Sequence, residues 1–218
     1  ALNKLKFNSL NVTPTAGKTI GFNSSANGLE ATISGGSMTF IKKLTASSSS
    51  TLSFVDGSSD VVLDNTYKEY MFIFNSIHPQ NAVFGFEFNG STDSGSNYNV
   101  TKTTTWFSGY HNENGTSGTL EYSTSADLAQ STDFQKLTGT VNNDNDQAFS
   151  GYLHLFNPSS TTFVKHFMSN VNYAYNTPGT ENVRVAGYFN TTSAIDAIQF
   201  KIATGNIDSG TITLYGIN

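Results

Sequence analysis

The sequence predicts an all-β fold: an antiparallel β-sandwich, jelly-roll-like, with an irregular N-terminal arm. Three observations predict it. From residue 38 to the C-terminus, short runs with a two-residue apolar period recur between clusters of Asn, Gly, Ser and Pro. Helical periodicity is nearly absent, and only residues 125–130 could make a turn or two. The 218 residues include 17 Phe and 10 Tyr, rings that favour strands and supply most of the material for a core.

The arm comprises residues 1–37. Residues 8–11, 13–17 and 23–28 are turn chemistry, and the only apolar stretch is residues 20–22. Such a segment either enters the sandwich as a meandering strand or orders against a neighbouring subunit.

The sandwich domain comprises residues 38–218. Within it, residues 67–77 contain Met71-Phe72-Ile73-Phe74, apolar on both parities, as in a central strand covered on both sides. In residues 82–89, Ala82, Phe84, Phe86 and Phe88 share one face, while Val83, Gly85, Glu87 and Asn89 share the other, so Glu87 is expected to face solvent. Residues 152–156 and 162–170 read as a hairpin around the turn Asn157-Pro158-Ser159-Ser160. Asn176-Thr177-Pro178-Gly179 fits a type II turn before a strand at 183–190. Strands at 196–203 and 210–217 close the chain. Nine to eleven strands without crossover helices favour antiparallel sheets packed face to face.

Charged residues make up only 12% of the chain, with 11 basic residues, of which Arg184 is the sole arginine, against 16 acidic ones. With a net charge of -5 and no basic stripe, nucleic acid is not an expected partner. Cysteine is absent, which excludes disulfides, thiolate chemistry and Cys-ligated metal. No run approaches 18 apolar residues and residues 1–10 lack an apolar leader core, so neither membrane insertion nor a secretory leader is expected.

No nucleophile elbow, zinc-binding His pair on a helix or phosphate-binding loop occurs, and no enzymatic role, metal or cofactor is expected. His154 and His166 lie on the two hairpin strands, but no carboxylate in those strands completes a ligand set. Asn142, Asp144 and Asp146 alternate like the start of a calcium loop, yet Gln147 and Leu153 stand where Gly and Glu are required. Glu87 is the best single candidate for carboxylate chemistry, without an identifiable partner. Exposed aromatic residues are the better lead: Trp106, Tyr110 and His111 lie close together in one strand and form a candidate glycan-binding platform, set against the possibility that a lone Trp belongs to the core.

Phe40-Ile41-Lys42-Lys43-Leu44, Leu52-Ser53-Phe54-Val55-Asp56-Gly57 and Gly210-Thr211-Ile212-Thr213-Leu214-Tyr215-Gly216-Ile217 resemble segments of virion structural proteins of marine tailed bacteriophages. Tyr70-Met71-Phe72-Ile73-Phe74-Asn75-Ser76-Ile77-His78-Pro79 and Leu155-Phe156-Asn157-Pro158-Ser159-Ser160-Thr161-Thr162-Phe163 fit the same pattern. The resemblance implies a virion location and a β-sandwich that decorates the outside of a particle, on capsid or tail. Its implied partners are other virion proteins and its own copies, as a homo-oligomer. The alternative is the receptor- or glycan-binding head of a tail fibre.

Overall fold

The computed structural model describes residues 19–22, 25, 27–32, 37–175 and 178–217, organised as two compact units, Ala1–Thr39 and Phe40–Asn218. Within the first unit, β1 (Thr19–Phe22) and β2 (Leu29–Thr32) form an antiparallel hairpin with Phe22 opposite Leu29. The expected irregular arm therefore contains regular structure. Its short apolar stretch has found a pairing partner across the turn at Asn27 and Gly28, which satisfies main-chain groups that turn residues alone leave open.

The second unit is a β-sandwich, without helix among the described residues. Its remaining strands run in chain order: β3 (Met38–Thr45), which begins just before the unit boundary, β4 (Thr51–Val55), β5 (Glu69–Pro79), β6 (Val83–Phe84), β7 (Phe86–Ser91), β8 (Lys102–Asn112) and β9 (Gly118–Tyr122). There follow β10 (Gln135–Lys136), β11 (Thr140–Val141), β12 (Phe149–Phe156), β13 (Lys165–Ala174), β14 (Gly179–Phe189), β15 (Ala197–Ile202) and β16 (Ile207–Ile217). An eight-stranded sheet has the order β3-β16-β5-β12-β13-β14-β8-β9 and faces a four-stranded sheet of order β10-β7-β15-β4. A two-stranded ladder joins β11 to β6.

Aromatic rings fill the space between the sheets. Phe54, Phe86, Phe88 and Phe200 of the small sheet meet Phe72, Phe74, Phe149 and Phe167 of the large one, mostly edge to face at centroid distances of 4.8–5.3 Å. Such pairs add to the burial of large apolar surfaces, the dominant stabilising term in a chain without disulfides.

The 152–170 hairpin forms as the sequence predicts, with Tyr152 opposite Asn170 and the Ser160 N–H donating to the Asn157 carbonyl at 3.1 Å to close the turn. The segment after β9 makes turns rather than a helix. Of the turn at residues 176–179, Asn176 and Thr177 lie outside the described residues. The expected both-sided cover of β5 is corrected. Tyr70, Phe72 and Phe74 are buried, whereas Met71 and Ile73 are half-buried on the outer face of the large sheet.

The uniform strand expected at residues 82–89 is interrupted at Gly85, whose φ of +117° is a left-handed conformation suited to glycine. Beyond the break every residue of β7 is buried, Glu87 at 7% exposure among them, so its expected solvent position is also corrected. The reason is lateral and overhead cover. Glu87 pairs in register with Lys136 of β10 and Lys201 of β15, and its Oε1 lies 3.2 Å from Lys201 Nζ, itself 4.2 Å from the Phe134 ring centroid. Burial pushes the Glu87 carboxyl up from its ordinary range, opposed by the hydrogen bond and charge of Lys201. Glu87→Ala is expected to lower stability by about 1–3 kcal/mol in urea unfolding, since it strands part of a shielded cation that can still reach water. A loss under about 0.5 kcal/mol would return Glu87 to a solvent-facing role.

Candidate functional site

The outer face of the large sheet carries several exposed apolar and aromatic side chains among polar ones. One row across it reads Ile73, Tyr152, Asn170, Arg184, Phe107, Tyr122, each the register partner of the next. The adjacent row reads Met71, His154, Met168, Ala186, Thr105. Small Ala186 floors a depression of about 650 Å³ walled by Phe156, His166, Met168 and Tyr188. Met168 is 55% exposed and Leu120, at the β9 edge, 77%.

The two hairpin histidines share this face but turn to different partners. The His154 and Phe156 rings meet at a tilt of 33° with centroids 4.1 Å apart, and His154 Nε2 lies 3.0 Å from a Glu69 carboxylate oxygen, while His166 lies against the Tyr188 ring at 6.0 Å. Among the described residues no group of three His, Asp or Glu side chains is arranged to hold a metal ion. In the loop of Asn142, Asp144 and Asp146, the Asp144 carbonyl lies 3.2 Å from His78 Nε2.

The candidate glycan platform is only partly assembled as the sequence predicts. Trp106 is 2% exposed and belongs to the core, its carbonyl accepting from the Ser123 N–H, so it is withdrawn from the platform. Its parity in β8 places it on the inner face with Thr104 and Ser108, and the turn at residues 123–126 closes over that end of the sheet.

Tyr110 and His111 do share a pocket, of about 400 Å³, with Asn112, Ser117, Glu121, Tyr175 and Glu181. Register explains the assembly. Glu181 is flanked across the sheet by Tyr173 and Tyr110, and Ser108, one pair below, faces Glu121 of β9. The Tyr110 and Tyr175 rings stack at 5.7 Å with an interplanar angle of 18°, and Tyr110 Oη lies 3.1 Å from Ser117 Oγ. Glu181 is 5% exposed and accepts a hydrogen bond from the Tyr173 hydroxyl, whose own ionisation burial, reinforced by that carboxylate, pushes far up. Burial, then the nearby charges of Glu181, Tyr110 and Glu121, raises the Tyr175 hydroxyl as well. Asn112 Oδ1 is buried without a hydrogen-bond partner.

The chain matches no known protein family, curated protein or solved structure.

A second polar pocket, of about 480 Å³, opens over the small sheet beside Glu87, Lys201, Tyr98, Asp133 and Phe134. The Glu87–Lys201 ion pair satisfies its charges internally. In the Tyr110–Tyr175 pocket no lysine or arginine is found among the described lining residues, and His111 is the one side chain there that can carry a positive charge. Glu121, Tyr175 and Glu181 escaped the sequence reading because they come from β9, the residue after β13 and β14, and only the pairing of these segments brings them together. The one local signal was an acid, Glu181, at an inward position of an otherwise apolar alternation.

Proposed function

We propose that the chain is a structural module of a bacteriophage virion, standing on the outside of the particle, on capsid or tail, and held there by contacts with neighbouring subunits, its own copies included. The observation that carries this reading is the exposed apolar and aromatic outer face of the large sheet, where Phe107, Tyr152 and Met168 line one depression with Arg184 and Tyr122 extends the row beyond Phe107. Contiguous apolar patches rimmed by polar groups mark interaction surfaces, and aromatic, Met and Arg residues are enriched there. The resemblance of the strand and turn segments to phage virion proteins supplies the setting.

Met168→Asp tests the reading. Met168 is more than half exposed, so the fold is expected to survive by circular dichroism. A charge placed in an apolar contact is expected to weaken self-association about tenfold or more, read by light scattering after size exclusion. A wild-type chain that is monomeric at every concentration and missing from purified particles by cryo-electron microscopy would overturn the proposal.

The Tyr110–Tyr175 pocket favours a second reading, the receptor- or glycan-binding head of a tail fibre. Paired rings offer a stacking surface, and the surrounding carboxylates, hydroxyl and amide offer hydrogen-bond partners for a sugar.

A further inference from the structure

The Tyr110–Tyr175 pocket is unbalanced in a way that narrows its ligand. It presents the carboxylates of Glu121 and Glu181, the hydroxyls of Tyr110, Tyr175 and Ser117, the Asn112 amide and the His111 imidazole, with no lysine or arginine among the described residues. Glu181 is almost fully buried, and the one neighbour shown donating to it is the neutral Tyr173 hydroxyl, so among the described residues no lysine or arginine is paired with it. A buried carboxylate in that state is costly unless a positive partner arrives. The buried Asn112 Oδ1 is a further acceptor that lacks a donor. What the site needs is therefore a ligand rich in N–H donors and positively charged.

Two features decide between an inorganic and an organic cation. No set of three acidic or imidazole ligands converges among the described residues, which speaks against a metal ion. The stacked tyrosine rings instead provide negatively polarised faces and a flat apolar surface, which suit an organic ammonium attached to a ring. At about 400 Å³ the pocket falls in the range of small-ligand sites, roughly 300–1,000 Å³.

We propose that this pocket binds a hexosamine unit with a free, protonated amine: the sugar's C–H face rests against the Tyr110–Tyr175 pair, and the ammonium is held by Glu121 and Glu181. This inference rests on the glycan-binding reading and adds to it the charge of the sugar. An ammonium brings three donors, and its hydrogen bonds to carboxylates are stronger than those between neutral groups.

Calorimetric titration of the full chain with a glucosamine trimer and with its fully N-acetylated counterpart tests the idea. The glucosamine trimer is expected to bind about tenfold or more tightly, because acetylation removes the charge. Raising the salt is expected to weaken that binding and to leave the acetylated trimer nearly unaffected. Glu121→Gln, on an exposed edge strand, is expected to abolish most of the difference between the trimers without moving the thermal melt. Equal affinity for the two trimers would sink the amine inference while leaving glycan binding intact. If lysine amide binds as tightly as the glucosamine trimer, the site takes a peptide amine and the sugar assignment falls. If neither trimer binds, both the inference and the glycan reading fail.

Discussion

Phe200→Ala is expected to lower the stability of the sandwich by about 3–5 kcal/mol, enough to leave a typical domain marginal at room temperature. Phe200 lies on β15 with no exposed surface, and its ring stands 5.3–6.3 Å from those of Phe54, Phe72, Phe74, Phe86 and Phe88. Among the described residues no other ring touches as many partners from both sheets. Its removal both forfeits burial and opens a cavity that five rigid rings cannot easily close. Phe163→Ala is the control, since that ring is 68% exposed and its loss is expected to stay within about 0.5 kcal/mol. Urea melts giving similar losses for the two variants would refute this account of the core.

The second large effect is a rise in stability with pH, caused by Lys102. Its side chain is wholly buried in β8, where Nζ donates to the main-chain carbonyls of Val100, at 3.2 Å, and Asp133. Burial holds the ammonium down to about 8, against the opposing pull of the Asp133 and Glu87 charges. The unfolded chain keeps its lysine proton to about pH 10.4. Between these values the unfolded state binds more protons, so stability rises with pH at about 1.4 kcal/mol per unit. Below pH 8 the burial cost is fully present, and it is relieved as pH climbs. Lys165, buried one strand beyond Phe189, is shifted down by burial and acts in the same direction. Above about pH 10 the buried hydroxyls of Tyr70 and Tyr173, both pushed up, reverse the trend, because unfolded tyrosines ionise first. Urea melts of the wild type are therefore expected to gain about 2 kcal/mol from pH 8 to pH 10, and Lys102→Met to lose most of that gain. A flat wild-type profile, or one the variant leaves unchanged, would refute it.

Legibility in the sequence followed how local the deciding forces are. The hairpin of β12 and β13 could be read because Asn157-Pro158-Ser159-Ser160 fixes its turn within four residues, and two-residue periodicity then assigns the faces. Phe86 and Phe88 were legible as core for the same reason. Glu87 was not, because what covers the second face of β7 is β10 and Phe134, some fifty residues distant. The lysines at 102 and 165 share the inward parity of Trp106 and Phe167, yet charge argues against burial. Their partners are backbone carbonyls, which leave no mark in a sequence. The candidate site divides likewise: Tyr110 and His111 were visible as neighbours in one strand, whereas Glu181 joins them only through the β8–β14 register and Tyr175 through its hydrogen bond to Gly179 at the start of β14.

The row of Lys102, Phe189 and Lys165 also gives the fold an internal chemical clock. Each amine is tied to a main-chain carbonyl in the connections around the sheet, Lys102 to that of Asp133 and Lys165 to that of Thr191 at 3.0 Å. An acylating reagent in water therefore meets neither amine while the sheets remain closed, although it meets half-exposed Lys201 at once. Acylation at these two positions proceeds only through opening events that part the sheets from their flanking segments, so its rate measures how often the closed state breathes.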